Sequence, residues 1–112
     1  MINGGGSLEI EFRDKDLEMC AIDEAYAVRR MGQKRAKLYR TRLRSIKAVV
    51  NFKELQFHPG QFHELTGNRK GQWACSLDQP YRLIIKGAEP DKVVVWAEVD
   101  EAEILEIVDY HK

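Results

Sequence analysis

Acid–base side chains of this sequence gather in two segments, the stretch 63–86 and the C-terminal Asp109-Tyr110-His111. Two of the three histidines, His63 and His111, lie in these segments. A carboxylate near an imidazole orients the ring and stabilises its protonated form, so Asp109 and His111 are suited to act together. On an extended strand these two side chains would project from one face and Tyr110 from the other. A lone histidine is usually structural, so the prediction depends on the convergence of all these groups.

Three cations of the same stretch are candidates for binding a phosphate. Arg69 and Lys70 lie between Gly67 and Gly71, which favours a tight, exposed turn that projects both side chains; a solvated hairpin tip is the alternative. Arg82 is flanked by apolar residues and is expected on the exposed or functional face of a strand. Two acid–base groups and a cationic clamp are what RNA cleavage requires when the 2′-OH attacks its own phosphate. This chemistry needs no metal, and we expect neither a metal nor another cofactor.

The elements that would position these groups begin with a strand and a helix. Alternating apolar and charged residues predict a half-buried strand over Leu8–Phe12. Asp14 is suited to cap a first helix, whose apolar positions recur at three- and four-residue spacing as far as Val28. We expect fraying or a kink in this helix after Ile22.

A second helix is the clearest element. Its apolar residues step by three and four and predict a core-facing stripe: Ala36, Tyr39, Leu43, Ile46 and Val50. A row of cations follows the same steps about 100° around the helix: Lys37, Arg40, Arg44 and Lys47. The segment from Arg29 to Lys47 has nine Lys or Arg and no acid, whereas Val93 to Tyr110 has six acids and no base. The basic block is typical of a nucleic-acid-binding face, and a solvated helix edge is the alternative.

The C-terminal half predicts mainly strands. Four extended segments are expected, at 62–65, 73–77, 81–86 and 104–110, with a turn at Asp78-Gln79-Pro80. Residues 93–96 form a further β-rich run, and a helix is the alternative at 102–105. The order of strand, two helices and an antiparallel set of strands predicts an α+β domain, with two helices packed on a small, mostly antiparallel sheet.

The length and composition of the chain are those of one folded domain. The chain has 112 residues, of which we assign 1–7 to a flexible leader and 8–112 to a single domain. No run of apolar residues is long enough to span a membrane, and no signal peptide is evident, so we expect a cytoplasmic protein. Cys20 and Cys75 have no metal-binding spacing and are expected to be reduced thiols in the core.

Two stretches carry a family resemblance: FHELTGNRKGQWACSLDQPYRLII, followed later by EILEIVDYH. They resemble the HigB branch of the RelE/ParE superfamily of bacterial toxins, and the resemblance extends over essentially Leu8 to His111. It implies a RelE-like fold and the toxin of a type II toxin–antitoxin pair. The implied activity is cleavage of messenger RNA in the ribosomal A site, and the implied inhibitor is a helix-turn-helix antitoxin of the HigA type.

The resemblance also implies residue roles. His63 matches the loop histidine of the family, and Arg82 matches the sheet arginine expected at the scissile phosphate. His111 is the first choice for proton transfer, with His63 as its partner. Tyr110 would stack on a base or contribute its hydroxyl group, and Asp109 would orient its neighbour. Basic residues of the turn would contact substrate phosphates: Arg69 and Lys70.

Two other functions fit the same superfamily or the same surface. One is a ParE-like inhibitor that binds DNA gyrase and performs no RNA chemistry, since a fold does not decide a function. The other is a non-catalytic module that binds RNA or a protein partner. The terminal Asp109-Tyr110-His111 favours the nuclease, because an inhibitor that only binds protein needs no acid–base group there.

Overall fold

A computed structural model describes residues 7–110 of the chain, and these form an α+β domain. The five strands are β1 (Glu9–Phe12), β2 (His63–Glu64), β3 (Gln72–Ser76), β4 (Tyr81–Lys86) and β5 (Glu101–Asp109). The three α-helices are α1 (Lys15–Ile22), α2 (Glu24–Met31) and α3 (Gln33–Ala48). Short 3₁₀ turns occupy Phe52–Phe57, Gly67–Arg69 and Trp96–Glu98. The expected leader lies outside the described residues except for Ser7.

The strands form one sheet in the order β1-β5-β4-β3-β2. Three of its pairings are antiparallel, and β1 pairs with β5 in parallel. The expectation of a mostly antiparallel sheet is therefore confirmed. The helices α1, α2 and α3 connect β1 at one edge of the sheet to β2 at the opposite edge. The antiparallel series from β2 to β5 then brings β5 beside β1, where the two strands pair in parallel.

The first predicted helix is two helices, α1 and α2. The Asp14 side chain caps α1 by accepting from the backbone N–H groups of Asp16 and Leu17, at 2.6 and 3.2 Å. Asp23 ends α1 in an extended backbone conformation, and its side chain accepts from the N–H of Tyr26 to start α2. The break after Ile22 is thus confirmed, and it separates two individually capped helices.

Helix α3 presents most of its predicted apolar stripe to the core. Four of the five stripe residues are buried: Ala36, Tyr39, Leu43 and Ile46. The fifth, Val50, is exposed because the helix ends at Ala48, and Val49 is buried in its place. The Tyr39 hydroxyl donates to the carbonyl of Leu17 at 2.7 Å, which ties α3 to α1 inside the core.

The two faces of the sheet are covered differently. One face packs on the helices and forms the main core, to which Leu83, Ile85 and Ile104 belong. The opposite face carries a small separate cluster of Ala74, Ile84 and Leu105 that includes no helix residue. We call this second side the open face.

One expectation for the C-terminal half, and one alternative to the final strand, are wrong. Residues 93–95 are not a strand, and Val93 is 99% exposed, because β4 is already paired on one side with β3 and on the other with β5. Residues 102–105 are not helical, because β5 already begins at Glu101. The final strand itself is confirmed.

The cysteines are confirmed as buried free thiols. Cys20 and Cys75 have no exposed surface and form no disulfide. Burial raises the pKa of the Cys75 thiol to about 12, and it also raises the pKa of Cys20.

Each helix within residues 7–110 is too short or too polar to cross a lipid bilayer.

Candidate active site

The strand register places His63 on the open face. His63 pairs with Ala74, which pairs with Ile84, which in turn pairs with Glu106. Residues opposite one another in antiparallel strands project to the same side, so the four side chains form a row across the sheet. Since Ala74 and Ile84 form the small cluster, this row lies on the open face.

Arg82 lies in the next row of the same face. It pairs with Ser76 on one side and with Val108 on the other, and Val108 packs against the small cluster. The row of Arg82 is two residues, or about 7 Å, along the strand from the row of His63, and β2 is about 10 Å from β4 across the sheet. This separation leaves room for a phosphodiester between the two side chains.

His63 is exposed on an edge strand of two residues. Its Nδ1 lies 2.8 Å from the carbonyl oxygen of Gln61, and since a carbonyl oxygen only accepts, Nδ1–H donates. The neutral ring then carries its lone pair on Nε2, which is the arrangement of a general base. Gln61 adopts a left-handed backbone conformation with φ of 59°, which is uncommon for a residue other than glycine and occurs often at functional sites.

The C-terminal group divides between the two faces. Asp109 pairs with Tyr81, which packs against the main core, so Asp109 starts on the side of the helices. The Tyr110 ring centroid lies 5.5 Å from the Arg82 guanidinium, so Tyr110 belongs to the open face. The backbone N–H of Tyr110 donates to the carbonyl of Pro80 at 2.9 Å and fixes the end of β5 to the turn before β4. Asp109 and Tyr110 on opposite faces confirm the expected alternation.

His111 lies outside the described residues. It follows Tyr110 directly in the sequence, and Tyr110 is the last residue that the structure describes. The open face therefore carries three of the five predicted catalytic residues, His63, Arg82 and Tyr110, and of these Arg82 and Tyr110 are in contact. Asp109 approaches from the other side of the sheet.

The basic turn contributes Arg69 to the open face and exposes Lys70. Arg69 donates from Nη1 to Gln72 Oε1 and from Nη2 to Glu106 Oε2, each at 2.8 Å. Because Glu106 belongs to the row of His63, the Arg69 guanidinium reaches across the sheet to β5. The turn is compact: a Cβ atom on Gly71, where φ is 93°, would lie 2.3 Å from the carbonyl oxygen of Ala88.

The sequence interpretation missed Glu106 and Gln72 as members of the site. Alternation along the predicted last strand could have grouped Glu106 with Val108 and Tyr110 on one face. Pairing Glu106 with Arg69 required the strand order, however, because the two residues are 37 positions apart.

The predicted basic row of α3 is apart from these residues. Arg40 is half-buried, and the other three members are exposed: Lys37, Arg44 and Lys47. Arg40 Nη1 is buried and has no hydrogen-bond partner among residues 7–110. Since α3 packs against the sheet from the side opposite the open face, the row would contact a different part of any large partner.

Comparisons with protein families and with curated proteins do not identify a function for these residues. No protein-family model matches the chain, and no curated protein matches it. Within residues 7–110 no group of three His, Cys, Asp or Glu side chains is arranged to hold a metal ion. The groups that the open face offers for chemistry are an imidazole, a guanidinium and a phenol.

Proposed function

We propose that this chain is a HigB-type toxin with a RelE-like fold, one half of a type II toxin–antitoxin pair of the RelE/ParE superfamily. Its activity would be ribosome-dependent cleavage of messenger RNA in the cytoplasm. The observation that supports this most is the open face, where His63, Arg82 and Tyr110 share one surface and His111 is the next residue in the chain.

The proposed reaction is acid–base cleavage of a phosphodiester. One imidazole removes the proton of the 2′-OH, which attacks the adjacent phosphorus, and the other protonates the departing 5′ oxygen. His111 and His63 share these two roles, and the Nδ1 contact of His63 leaves Nε2 for proton transfer. Arg82 stabilises the charge that develops on the phosphoryl oxygens. Tyr110 stacks on a base or contributes its hydroxyl.

Ribosome dependence agrees with the size and exposure of this site. An exposed imidazole and a half-buried guanidinium offer few contacts that would position a free RNA, so the ribosome would supply the alignment. The exposed cations Lys37, Arg44 and Lys47 would contact ribosomal RNA phosphates, and that attraction should weaken with added salt. A HigA-type antitoxin would block one of these surfaces.

The test is induction of the wild-type chain and of His111→Ala, with growth and primer extension on an abundant message as readouts. We expect growth arrest and new 5′ ends inside translated codons with the wild type. The variant should lose about 100- to 10,000-fold of the cleavage, the usual contribution of a general acid or base. His58→Ala is the matched control, because His58 ends the Phe52–Phe57 turn and is the only histidine outside the two predicted segments.

Three outcomes would contradict the nuclease. Growth arrest with intact messages would favour the ParE-like gyrase inhibitor, and a DNA supercoiling assay would then follow. No effect on growth by either protein would favour the non-catalytic binding module. Equal loss in His58→Ala and His111→Ala would mean that the histidines act through stability, not chemistry.

A further inference from the structure

A cleft lies beside His63, at the β2 edge of the sheet. It is a cleft of about 450 Å³ between β2 and β3, the Phe52–Phe57 turn and the Trp96–Glu98 turn. Its walls are mainly apolar and include Phe62, Trp73, Val95 and Trp96. Clefts of this size and composition are typical of sites for small molecules or for single groups of larger ligands.

The walls of the cleft are built from packed aromatic rings. The ring centroids of Trp73 and Trp96 are 5.6 Å apart, and Phe52 lies behind them at 5.8 and 5.2 Å. A Cβ atom on Gly87 would lie 2.6 Å from the Trp96 ring and 2.9 Å from the Phe52 ring. The Trp96 ring can pack here because Gly87 has no side chain. Flat aromatic surfaces at the edge of a cleft can stack against a nucleobase.

The aromatic wall also contains an unsatisfied donor. Trp73 is 5% exposed, and its Nε1–H has no hydrogen-bond acceptor among residues 7–110. A buried indole N–H without an acceptor costs free energy. Because this nitrogen itself has essentially no exposed surface, it does not distinguish between possible occupants of the cleft.

The rim of the cleft carries polar groups that suit a nucleotide. Lys53 is exposed there and could contact a phosphate, whereas Glu64 adds one carboxylate of the opposite charge. His63 lines the cleft and also stands in the open-face row with Ala74 and Ile84. A nucleotide whose base enters the cleft would therefore bring its own phosphate beside His63.

We infer that the aromatic cleft binds the nucleobase of an RNA nucleotide next to the scissile phosphate. This inference rests on the proposed function. It adds a substrate-binding site at the β2 edge of the sheet, beside His63. Stacking on indole rings accepts every base, so the site would hold the strand without reading its sequence. An apolar side chain of an antitoxin is the competing occupant, and it does not need the Lys53 ammonium at the rim.

Intrinsic fluorescence can test this directly, because the chain has two tryptophans and both line the cleft. The probe is a short RNA oligonucleotide with a 2′-deoxy substitution at the scissile nucleotide, which binds without being cleaved. We expect saturable quenching of tryptophan emission. The matched oligonucleotide that lacks only the base next to the scissile phosphate should bind about tenfold or more weakly, the usual effect of losing one stacked base.

Two valines of one irregular segment provide matched variants. Val95 lines the cleft and is 55% exposed, whereas Val93 does not line it and is 99% exposed. Val95→Glu should lower the affinity for the intact oligonucleotide about tenfold and leave the affinity for the abasic one nearly unchanged. Val93→Glu makes the same change of charge on the same segment and should leave both affinities as in the wild type. Both side chains are exposed, so neither variant should fail to fold.

Equal affinities for the intact and abasic oligonucleotides would overturn the inference. So would equal losses in Val95→Glu and Val93→Glu, which would indicate charge repulsion alone. Quenching by a co-expressed antitoxin but not by RNA, abolished by Val95→Glu, would assign the cleft to a protein partner and also overturn it. Failure of the nuclease is distinguishable: cleavage without base-dependent quenching contradicts only the cleft, and base-dependent quenching without cleavage contradicts only the nuclease.

Discussion

Two arginine–carboxylate pairs of this protein have the same chemistry and different surroundings. In the inner pair, Arg35 donates from Nε and Nη2 to the two carboxylate oxygens of Asp78, at 2.9 and 3.2 Å. The side chains of the inner pair are 22% and 17% exposed. In the outer pair, Arg69 makes one hydrogen bond of 2.8 Å to Glu106, and the side chains are 33% and 47% exposed.

The inner pair is held from several directions. The Arg35 guanidinium lies 3.5 Å from the centroid of the Tyr81 ring, and its bidentate contact joins α3 to the turn before β4. The same turn also holds the end of β5, because the carbonyl of Pro80 accepts a hydrogen bond from the N–H of Tyr110. The inner pair thus helps to position the C-terminal group from which the proposed chemistry comes.

Among residues 7–110, the outer pair has only the hydrogen bond from Arg69 to Gln72 as comparable support. It lies on the open face, where water competes for both partners, and an exposed ion pair of this kind contributes little to stability. We therefore expect that a phosphate would replace Glu106 as the acceptor for Arg69 at small cost. Burial and bidentate geometry therefore make Arg35 structural, whereas the exposed Arg69 remains available to a ligand.

The largest expected difference between the pairs is in stability. Asp78→Ala leaves Arg35 unpaired and partly buried, so we expect a loss of about 2–3 kcal/mol in the free energy of unfolding. Glu106→Ala should cost less than about 1 kcal/mol. Urea denaturation of the two variants and the wild type near neutral pH measures both values. Equal losses would mean that the two pairs are equivalent and that the distinction between them is wrong.

A smaller effect of the inner pair should appear as a pH dependence of the free energy of unfolding. The hydrogen bonds from Arg35 hold the pKa of Asp78 below its usual value of 3.8. The unfolded chain therefore binds this proton more readily, and the stability due to the pair is complete above pH 3.8 and is lost as the pH falls through the folded pKa. The difference in unfolding free energy between wild type and Asp78→Asn should shrink from about pH 6 to about pH 2.5.

The control for this pH dependence is the same substitution in an Arg35→Ala background. Without the guanidinium, the main cause of the lowered pKa is gone, so Asp78→Asn should have nearly the same effect at both pH values. A difference that persists unchanged in that background would assign the pH dependence to other carboxylates.

Periodicity and alternation predicted the elements that hold the inner pair. The strand Tyr81–Lys86 has the predicted limits, and the buried positions of α3 from Ala36 to Ile46 follow the predicted stripe. These signals are local, since each strand or helix turn repeats its own pattern. The contact between Arg35 and Asp78 is not local, and nothing in the sequence distinguished Arg35 from the other cations of α3.

The arrangement of the site was predictable only in part. Alternation placed Arg82 and Tyr110 relative to their own strands, but the row from His63 to Glu106 depends on the order of four strands. A register shift between Ile84 and Ile85 also changes which residues of β5 face Arg69, and a sequence pattern does not show it. The aromatic cleft depends on residues 93–97, where a β-rich composition predicted a strand and the structure has an irregular segment and a 3₁₀ turn.

The smallest expected effect is on the outer pair and concerns RNA affinity. Glu106→Gln removes the carboxylate that competes with a phosphate for Arg69, so binding of the non-cleavable oligonucleotide should strengthen about two- to fivefold at low salt. The gain should disappear in the double variant Arg69→Ala, Glu106→Gln, because the freed guanidinium is its source. Glu11→Gln is the matched control for charge, since Glu11 is exposed on β1, away from both proposed RNA contacts. An equal gain in the control, or one that survives without Arg69, would mean that Glu106 acts only through the net charge of the surface.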